Sequence, residues 1–271
     1  MEWARSLTIR RRDARGCYAL VVDFELANAL GRIVELKDRS TGAHTWRVTM
    51  YAQAMAEAAR VDTPRLMNFM LAAVLHDLGK IDVPDAILGK PGSLDPDEFK
   101  RMQEHTTAGH DRLIRMGVTE PVVLDVVRSH HERIDGTGYP DGLAGEQIPL
   151  AARWFSVIDG FDAMTSLRSY RDGRGEAAAE QAILDLEVHA GSWYQPEAVA
   201  VFRDLYESGR LDSTLEHLND PAAHETLTGP LSEGSAELAR EALLRSNPPG
   251  AETADIDHLL ELATQATDSD D

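Results

Sequence analysis

The sequence predicts an all-α fold, and three observations lead to that prediction. Apolar residues recur at helical spacing in the segments between Gly- and Pro-rich breaks. No segment shows the sustained apolar and polar alternation of a half-buried strand. No repeat of roughly 20 to 50 residues is visible. The chain has 271 residues, of which 43% are hydrophobic, so it can bury a core and wholesale disorder is excluded.

The first helices follow from this spacing and from the residues that interrupt it. A basic segment and a leading helix are expected within residues 1–38, with the helical pattern over 18–38. Ser40, Thr41 and Gly42 break the pattern, and a second helix is predicted from about residue 43 to residue 58. Pro64 opens a third helix, over residues 65–78, and Gly79 ends it.

The middle of the chain continues in the same way. Asp95, Pro96 and Glu98 supply an N-cap, a proline in the first turn and a capping acid, so we predict a helix from there to about Thr107. Further helices are predicted over residues 111–116, 121–130, 150–166, 176–188 and 196–207. Residues 79–94 and 135–149 are rich in Gly and Pro, and loops of that length in a compact domain are usually functional.

Charge is distributed unevenly along the chain. The 46 acids and 27 Lys plus Arg give a net charge of −19, of which −12 lies in residues 212–271. We expect residues 211–271 to form an acidic, loosely structured and partly disordered C-terminal appendage, with short helices near 236–244 and 256–262. Such a surface repels a phosphodiester backbone, so extended nucleic acid is not an expected partner, although a small phosphate ligand is not excluded.

Composition limits the chemistry and the location. No apolar run reaches the roughly 18 residues that a membrane span needs. The basic N-terminal residues are not followed by an uninterrupted apolar stretch and a small-residue cleavage site, so we expect a cytoplasmic protein. The single cysteine, Cys17, excludes an internal disulfide and a Cys-based zinc site. Any metal site must therefore use histidines and carboxylates.

Three places combine such residues with apolar helices. His76 and Asp77 end an apolar helix, where two buried polar groups would need a partner, and a cation is one candidate. His130 and His131 end another apolar helix, and Asp159 lies in an apolar helical segment. Taken singly, a His-Asp pair is more often a capped helix end, and paired histidines are more often partly exposed. The combination is what indicates a site.

Two longer motifs make the combination specific. Residues 76–80 read His-Asp-Leu-Gly-Lys, and residues 130–140 read His-His-Glu-Arg-Ile-Asp-Gly-Thr-Gly-Tyr-Pro. Over residues 39–210 the chain resembles the HD-GYP phosphodiesterases, a subgroup of the HD superfamily of metal-dependent phosphohydrolases. The resemblance implies a helical bundle that hydrolyses cyclic di-GMP to pGpG, and in some members to GMP, with a water bridged between two metals.

The resemblance also implies roles for individual residues. The implied metal ligands, with Asp77 bridging the ions, are His44, His76, Asp77, His105, His130, His131 and Asp159. Asp77 and Lys80 are the expected catalytic residues. Lys80 is also expected to contact substrate, together with Gly138, Tyr139, Pro140, Arg168 and Arg171. Arg171 stands where Lys is often found, which keeps the charge and alters the geometry.

The donor types and one departure define the expected cofactor. Five His and two Asp without Cys favour Fe or Mn over a closed Zn site. Members with three metals carry a Glu four residues before the first family histidine, where this chain has Ser40, so we expect two divalent ions.

Two alternatives to this activity stay open. The chain could be a catalytically inactive signalling scaffold that acts through protein contacts, or a phosphohydrolase of another cyclic dinucleotide. The segment before residue 40 is short for a sensor domain, so regulatory input is expected through the leading helix, the acidic tail or a protein partner. The leading helix is also a candidate surface for a homodimer.

Overall fold

The computed structural model describes residues 11–12, 18–19, 23–38, 44–166, 176–216, 230–247 and 254–265. Its helices, in chain order, are α1 (Phe24–Lys37), α2 (His44–Ala58), α3 (Thr63–Leu75), α4 (Asp85–Leu88), α5 (Pro96–Gln103), α6 (His105–Met116), α7 (Pro121–Ser129), α8 (Leu150–Thr165), α9 (Glu176–Val188), α10 (Pro196–Glu207), α11 (Asp212–Glu216), α12 (Glu233–Ser246) and α13 (Ala254–Thr264). Two 3-10 helices, Leu78–Asp82 and Gly145–Gln147, lie in the predicted loops. The all-α prediction is confirmed.

Capping residues explain several helix starts. The side chain of Asp23 accepts a hydrogen bond from the backbone N–H of Leu26, so α1 begins later than the apolar pattern suggested. The expected capping box is present, because Asp95 accepts from Glu98 N and Glu98 accepts from Asp95 N. The side chain of Asp62 caps α3 by accepting from Arg65 N.

Two boundaries differ from the prediction for a physical reason. The third helix ends at Leu75, and the chain continues as a 3-10 helix that carries Lys80. The helix that begins at residue 96 ends at Gln103, and α6 starts at His105. Tertiary packing of His76 and His105, which are 1% and 2% exposed, fixes both ends more strongly than local propensity does. In addition, Arg11–Arg12 and Tyr18–Ala19 form a short antiparallel ladder that the sequence did not predict.

The core packs α2, α3, α7 and α8 side by side, with α10 against α2 and α8. Their buried faces include Tyr51, Leu75, Val126, Phe155 and Phe161. Helix α1 packs against α3, and α12 and α13 pack on α1. The apolar faces therefore bring the polar ends of α3 and α7, the start of α2 and the middle of α8 to one place.

Candidate metal centre

The structure brings the seven expected ligands together from five parts of the fold. His44 begins α2, His76 and Asp77 follow α3, His105 begins α6, His130 and His131 follow α7, and Asp159 lies within α8. Donor atoms of His44, His76 and Asp77 lie within 4.8 Å of one another, and those of His105, His130 and His131 form a second such group. We name them the first and the second donor group.

Two carboxylates, one of them Asp77 of the first donor group, each face histidines of both groups. One oxygen of Asp77 is 3.3 Å from Nε2 of His76, and its other oxygen is 3.5 Å from Nε2 of His105. Asp159 is placed similarly, with one oxygen 3.5 Å from Nε2 of His44 and the other 4.0 Å from Nδ1 of His131. Each carboxylate thus presents one oxygen to each group. This arrangement suits two cations held close together.

Hydrogen bonds fix the orientation of four imidazoles. Nδ1 of His76, His105 and His130 contacts the backbone carbonyl of Ala73, Met102 and Val126 at 2.7, 2.8 and 2.9 Å. Nδ1 of His44 contacts a carboxylate oxygen of Asp162 at 2.8 Å. Because a carbonyl or carboxylate can only accept, each Nδ1 carries a proton and each ring directs its Nε2 inward.

The inward-facing nitrogens provide a test of whether a metal fits. Nε2 of His44 lies 3.0 Å from Nε2 of His76, so the two ring nitrogens point into the same small space. Both side chains are buried, and polar atoms crowded together away from water need a partner that satisfies all of them. A divalent cation satisfies both nitrogens and the nearby carboxylates. Imidazole and carboxylate are suitable ligands for such an ion, and the donor set therefore fits a metal site.

The local charges prepare the donors for a cation. Burial and the neighbouring imidazoles hold the pKa of His130 and His131 well below the usual value, so both rings are neutral. Burial alone raises the pKa of Asp77, but the charges of His76 and Lys80 outweigh it and hold that pKa well below its usual value. Burial lowers the pKa of His76, but Asp77 and Asp159 raise it overall, which shows that the first donor group attracts positive charge.

Asp162 orients His44 of the first donor group by contacting the ring nitrogen that faces away from the other donors. Its carboxylate is 1% exposed and accepts hydrogen bonds from Arg47 at 2.6 and 2.9 Å, from Ser166 at 2.8 Å and from His44. Burial raises the pKa of Asp162, but the bonds from Arg47 and His44 lower it strongly overall, so the group stays charged. Its spacing of three residues from Asp159 on one helix is the sequence signal for this position.

Lys80 is held between two carboxylates. Its Nζ lies 2.8 Å from Asp77 and 2.9 Å from Asp38, and these charges outweigh burial and raise its pKa. Lys80 therefore stays a cation and cannot act as a base near neutral pH. Two contacts leave capacity for a third, since an ammonium has three donors. Asp38 at the end of α1 is separated by 42 residues from Lys80, and no local pattern identifies it.

The second motif forms a loop that folds back on His131. The carboxylate of Glu132 is 2% exposed and accepts from the backbone N–H groups of Asp141 and Leu143 at 2.7 and 3.0 Å. The backbone N–H of Tyr139 donates to the carbonyl of His131. A Cβ on Gly138 would lie 2.5 Å from that carbonyl oxygen, so only glycine fits there. No local sequence pattern identifies Glu132 as the residue that holds this loop.

A cavity of about 300 Å³ opens beside the second donor group. Its lining includes His130, His131, Asp159, Gly138 and Tyr139. Pro140 follows Tyr139 through a cis peptide bond and is not among the lining residues. Arg168 and Arg171 lie outside the described residues, as does Ser40.

Two aromatic residues that by type indicate core packing also border the cavity. Tyr194 does pack against the core, but the side chains of Trp193 and Tyr194 are only partly buried and both line the cavity. Phe99, which is 48% exposed, lines it as well. The wall beside the donor groups is therefore rich in aromatic rings, as is common in ligand sites.

The helical bundle and its converging imidazoles and carboxylates are typical of a metal-binding helical protein. The model of the HD domain family matches residues 28–198, and the chain belongs to that family. The family expected from the two motifs is confirmed. Within the described residues, no helix combines the length and apolar character needed to cross a membrane.

Curated relatives agree with this assignment. A Thermotoga maritima protein named cyclic di-GMP phosphodiesterase is 36% identical over 221 residues, which cover 78% of this chain and 58% of the relative. A Vibrio cholerae protein named 3'3'-cGAMP-specific phosphodiesterase 2 is 35% identical over 184 residues, which cover 68% of this chain and 35% of the relative. The chain thus spans about half or less of the length of these relatives.

A solved structure shares the fold. The structure of a cyclic GMP-AMP specific phosphodiesterase of Vibrio cholerae, V-cGAP3, aligns with a TM-score of 0.60 at 17% identity. The alignment covers 89% of this chain and 69% of that chain. At this identity the likeness supports the helical architecture.

Proposed function

We propose that this protein is a metal-dependent phosphodiesterase that hydrolyses cyclic di-GMP to pGpG or GMP. The observation that carries the proposal is the position of Asp77, with one oxygen facing each donor group. The name of the Thermotoga maritima relative supports the substrate. The site is of a kind that serves phosphoryl chemistry, since it combines convergent donors, a fixed lysine and an adjoining cavity.

In this proposal two divalent ions, iron or manganese, would be held by His44, His76, Asp77, His105, His130, His131 and Asp159. Asp77, whose two oxygens face histidines of both donor groups, would contribute to holding both ions. When bound, the ions polarise the phosphate and lower the pKa of water, so no strong protein base is needed. The rest of the reaction depends on the chain's own side chains.

Lys80 supplies a fixed positive charge beside Asp77. Because its pKa is raised, it donates hydrogen bonds to the phosphate oxygens and stabilises the charge that develops on them. Tyr139 and Gly138 shape the wall of the cavity next to His131. Arg168 and Arg171 are proposed to bind the phosphates, and Pro140 to shape the loop; the arginines are to be tested by replacing both and measuring substrate affinity and metal content.

The decisive experiment is metal analysis of anaerobically purified protein, followed by chromatography of the products from cyclic di-GMP. We expect close to two equivalents of iron or manganese and release of pGpG or GMP. Asp77→Ala should lose metal and turnover while the circular dichroism stays helical. Asp204→Ala, at a side chain that is 70% exposed on α10, is the matched control. Unchanged turnover of Asp77→Ala would exclude the mechanism.

Another cyclic dinucleotide is the second candidate substrate, and the name of the Vibrio cholerae relative favours it. Competition between cyclic di-GMP and 3'3'-cGAMP in one reaction gives the ratio of their kcat/KM values directly. Metal-loaded protein that turns over neither compound would instead favour a signalling scaffold. A homodimer through α1, a protein partner of the acidic tail and a cytoplasmic location remain proposals of the same kind.

A further inference from the structure

Three side chains form a stack at the edge of the cavity. The guanidinium carbon of Arg133 lies 3.8 Å from the ring centroid of Trp193. The imidazole of His189 is nearly parallel to the indole, with centroids 4.0 Å apart and an interplanar angle of 23°. The two groups cannot share one face at these distances, so they cover opposite faces of Trp193. Arg133 also lines the cavity, so its side chain borders both the indole and the open space.

Backbone hydrogen bonds hold the stack in place. The N–H of Ile134 donates to the carbonyl of Trp193 at 3.3 Å, and the N–H of Asp135 donates to that of Ser192 at 2.8 Å. The second motif and the loop before α10 are thus joined by two backbone hydrogen bonds next to the stack. Nδ1 of His189 contacts the carbonyl of Asp185 at 2.8 Å, which fixes the imidazole. The position of Arg133 is therefore set before any ligand binds, which reduces the entropy cost of binding.

The charge of Arg133 forms no ion pair within the described part of the chain, although Asp135 lies near enough to interact with it electrostatically. No carboxylate there forms an ion pair or hydrogen bond with its guanidinium, although it is half-buried in an acidic protein. Its contact is the flat ring of Trp193, and both residues line the cavity that contains His131 and Asp159. A planar cation that lies over an aromatic ring and borders a cavity suits a planar, electron-rich ligand ring.

We propose that Arg133, supported by Trp193, is the platform on which one nucleobase of the cyclic dinucleotide stacks. This inference rests on the proposed function and adds a specificity-determining position to it. A cyclic dinucleotide carries its bases on either side of the phosphodiester ring, so a phosphate at the donor groups places a base against a neighbouring wall. Nucleobases stack on arginine planes and on aromatic rings in nucleic-acid sites.

The test compares cyclic di-GMP with ethyl 4-nitrophenyl phosphate, a diester without a nucleobase. Arg133→Lys keeps the charge and removes the plane, and Trp193→Leu removes the support. Each should raise KM for cyclic di-GMP by about tenfold relative to the synthetic diester, the size expected for losing one stacked base. Trp193→Phe keeps an aromatic face and should lose less than Trp193→Leu. Arg210→Lys, at a half-exposed ion pair with Glu57, is the matched control.

The outcomes separate the platform from the activity. Equal losses on both diesters with reduced metal content would show that Arg133 and Trp193 only maintain the metal centre. An unaltered KM for cyclic di-GMP in Arg133→Lys and Trp193→Leu would likewise overturn the platform. Wild-type protein that cleaves the synthetic diester and neither cleaves nor binds cyclic di-GMP would contradict the proposed function itself.

Discussion

Gly79 lies directly against the backbone of His105. A Cβ on Gly79 would come within 1.9 Å of the carbonyl oxygen of His105 and 2.5 Å of the backbone N of Gly109. A Cβ on Gly109 would in turn lie 2.9 Å from Gly79 N. The 3-10 helix that carries Lys80 and the helix α6 therefore touch backbone to backbone. This close approach is what brings Nε2 of His105 to 3.5 Å from Asp77.

Gly79→Ala should separate the two donor groups. The added methyl meets backbone atoms that cannot rotate away, so we expect a destabilisation of about 3 kcal/mol or more, at the upper end for overpacked cores. Thermal unfolding measures the stability, and metal content of the purified variant measures the site. Gly234→Ala is the control, because its Cβ would meet only Ser232 Oγ at 3.8 Å within a helix. Wild-type metal content in Gly79→Ala would show that α6 can shift without loss.

The residue pattern alone singled out His76, Asp77, His130, His131 and Asp159, which stand in the two motifs or in apolar helical segments. His44 and His105 have no distinctive local setting and followed from the family resemblance alone. The sequence did not identify Asp38 and Glu132, because their roles depend on backbone and side-chain atoms that only the fold brings close. Asp38 binds Lys80 across 42 residues, and Glu132 accepts from backbone groups that carry no sequence signal. Asp162 is an intermediate case, because its spacing of three residues from Asp159 on a helix fits either a supporting or a solvated side chain.

Local propensity also failed where packing decides. The pattern over residues 65–78 is helical throughout, yet α3 ends at Leu75 and the two polar residues that follow turn into the site. Trp193 and Tyr194 resembled core residues by type, and type does not show which rings border a cavity. Residue patterns thus predicted the element types well, while element ends and the supporting residues required the tertiary structure.

Asp162→Asn should weaken the metal centre without removing a ligand. The amide cannot replace the carboxylate that accepts from both Arg47 and His44, so the orientation of the His44 ring is no longer fixed. We expect metal affinity to fall by about 10- to 100-fold, as for other residues that orient ligands. Loss of the buried pair with Arg47 should also cost about 3 kcal/mol of stability. Metal titration and urea unfolding check the two effects separately.

The control for this variant is Asp204→Asn, at a mostly exposed side chain on α10. It changes the net charge by the same amount and should alter neither the metal affinity nor the stability. An Asp162→Asn protein with wild-type metal affinity would show that the carbonyl of the amide is sufficient to orient His44.

Glu132→Gln tests whether the second motif is held by one carboxylate. The carboxylate accepts from the N–H groups of Asp141 and Leu143, and glutamine offers only one oxygen for the two. The variant loses one buried hydrogen bond and places the side-chain NH2 of the glutamine against a backbone N–H. This should destabilise the loop by about 1 to 3 kcal/mol, so the loop should become more mobile. We expect KM for cyclic di-GMP to rise several-fold, with the metal content retained, as measured by steady-state kinetics.

Glu146→Gln is the matched control, because Glu146 lies in the following 3-10 helix and its side chain is exposed. A rise in KM shared by both variants would be a general charge effect. Loss of metal in Glu132→Gln alone would mean that Glu132 supports His131 more than it supports the loop.

The C-terminal helix α12 is joined to the 3-10 helix of the site through Arg112. This guanidinium is 2% exposed, binds Asp82 at 2.6 and 2.7 Å, and contacts Ser246 Oγ at 3.1 Å at the end of α12. Leu243 on the same helix is fully buried, as are Ala239 and Ala242. The sequence predicts a domain boundary near residue 210 and an appendage over residues 211–271. Both expectations can therefore be tested at one buried side chain, Leu243.

Leu243→Ala is expected to lower the stability of the whole domain by about 2 to 5 kcal/mol, because α12 packs against α6 and α1. Urea unfolding followed by far-UV circular dichroism should show one transition at a lower midpoint. Leu184→Ala, at a side chain that is 48% exposed on α9, is the control and should change the midpoint little. If the C-terminal segment unfolds independently, the main transition of Leu243→Ala will keep its midpoint. A chain that ends near residue 212 will then also fold and hydrolyse cyclic di-GMP without this segment. If the midpoint falls, α12 belongs to the cooperative unit that holds Asp82 and the adjoining Lys80 turn in place.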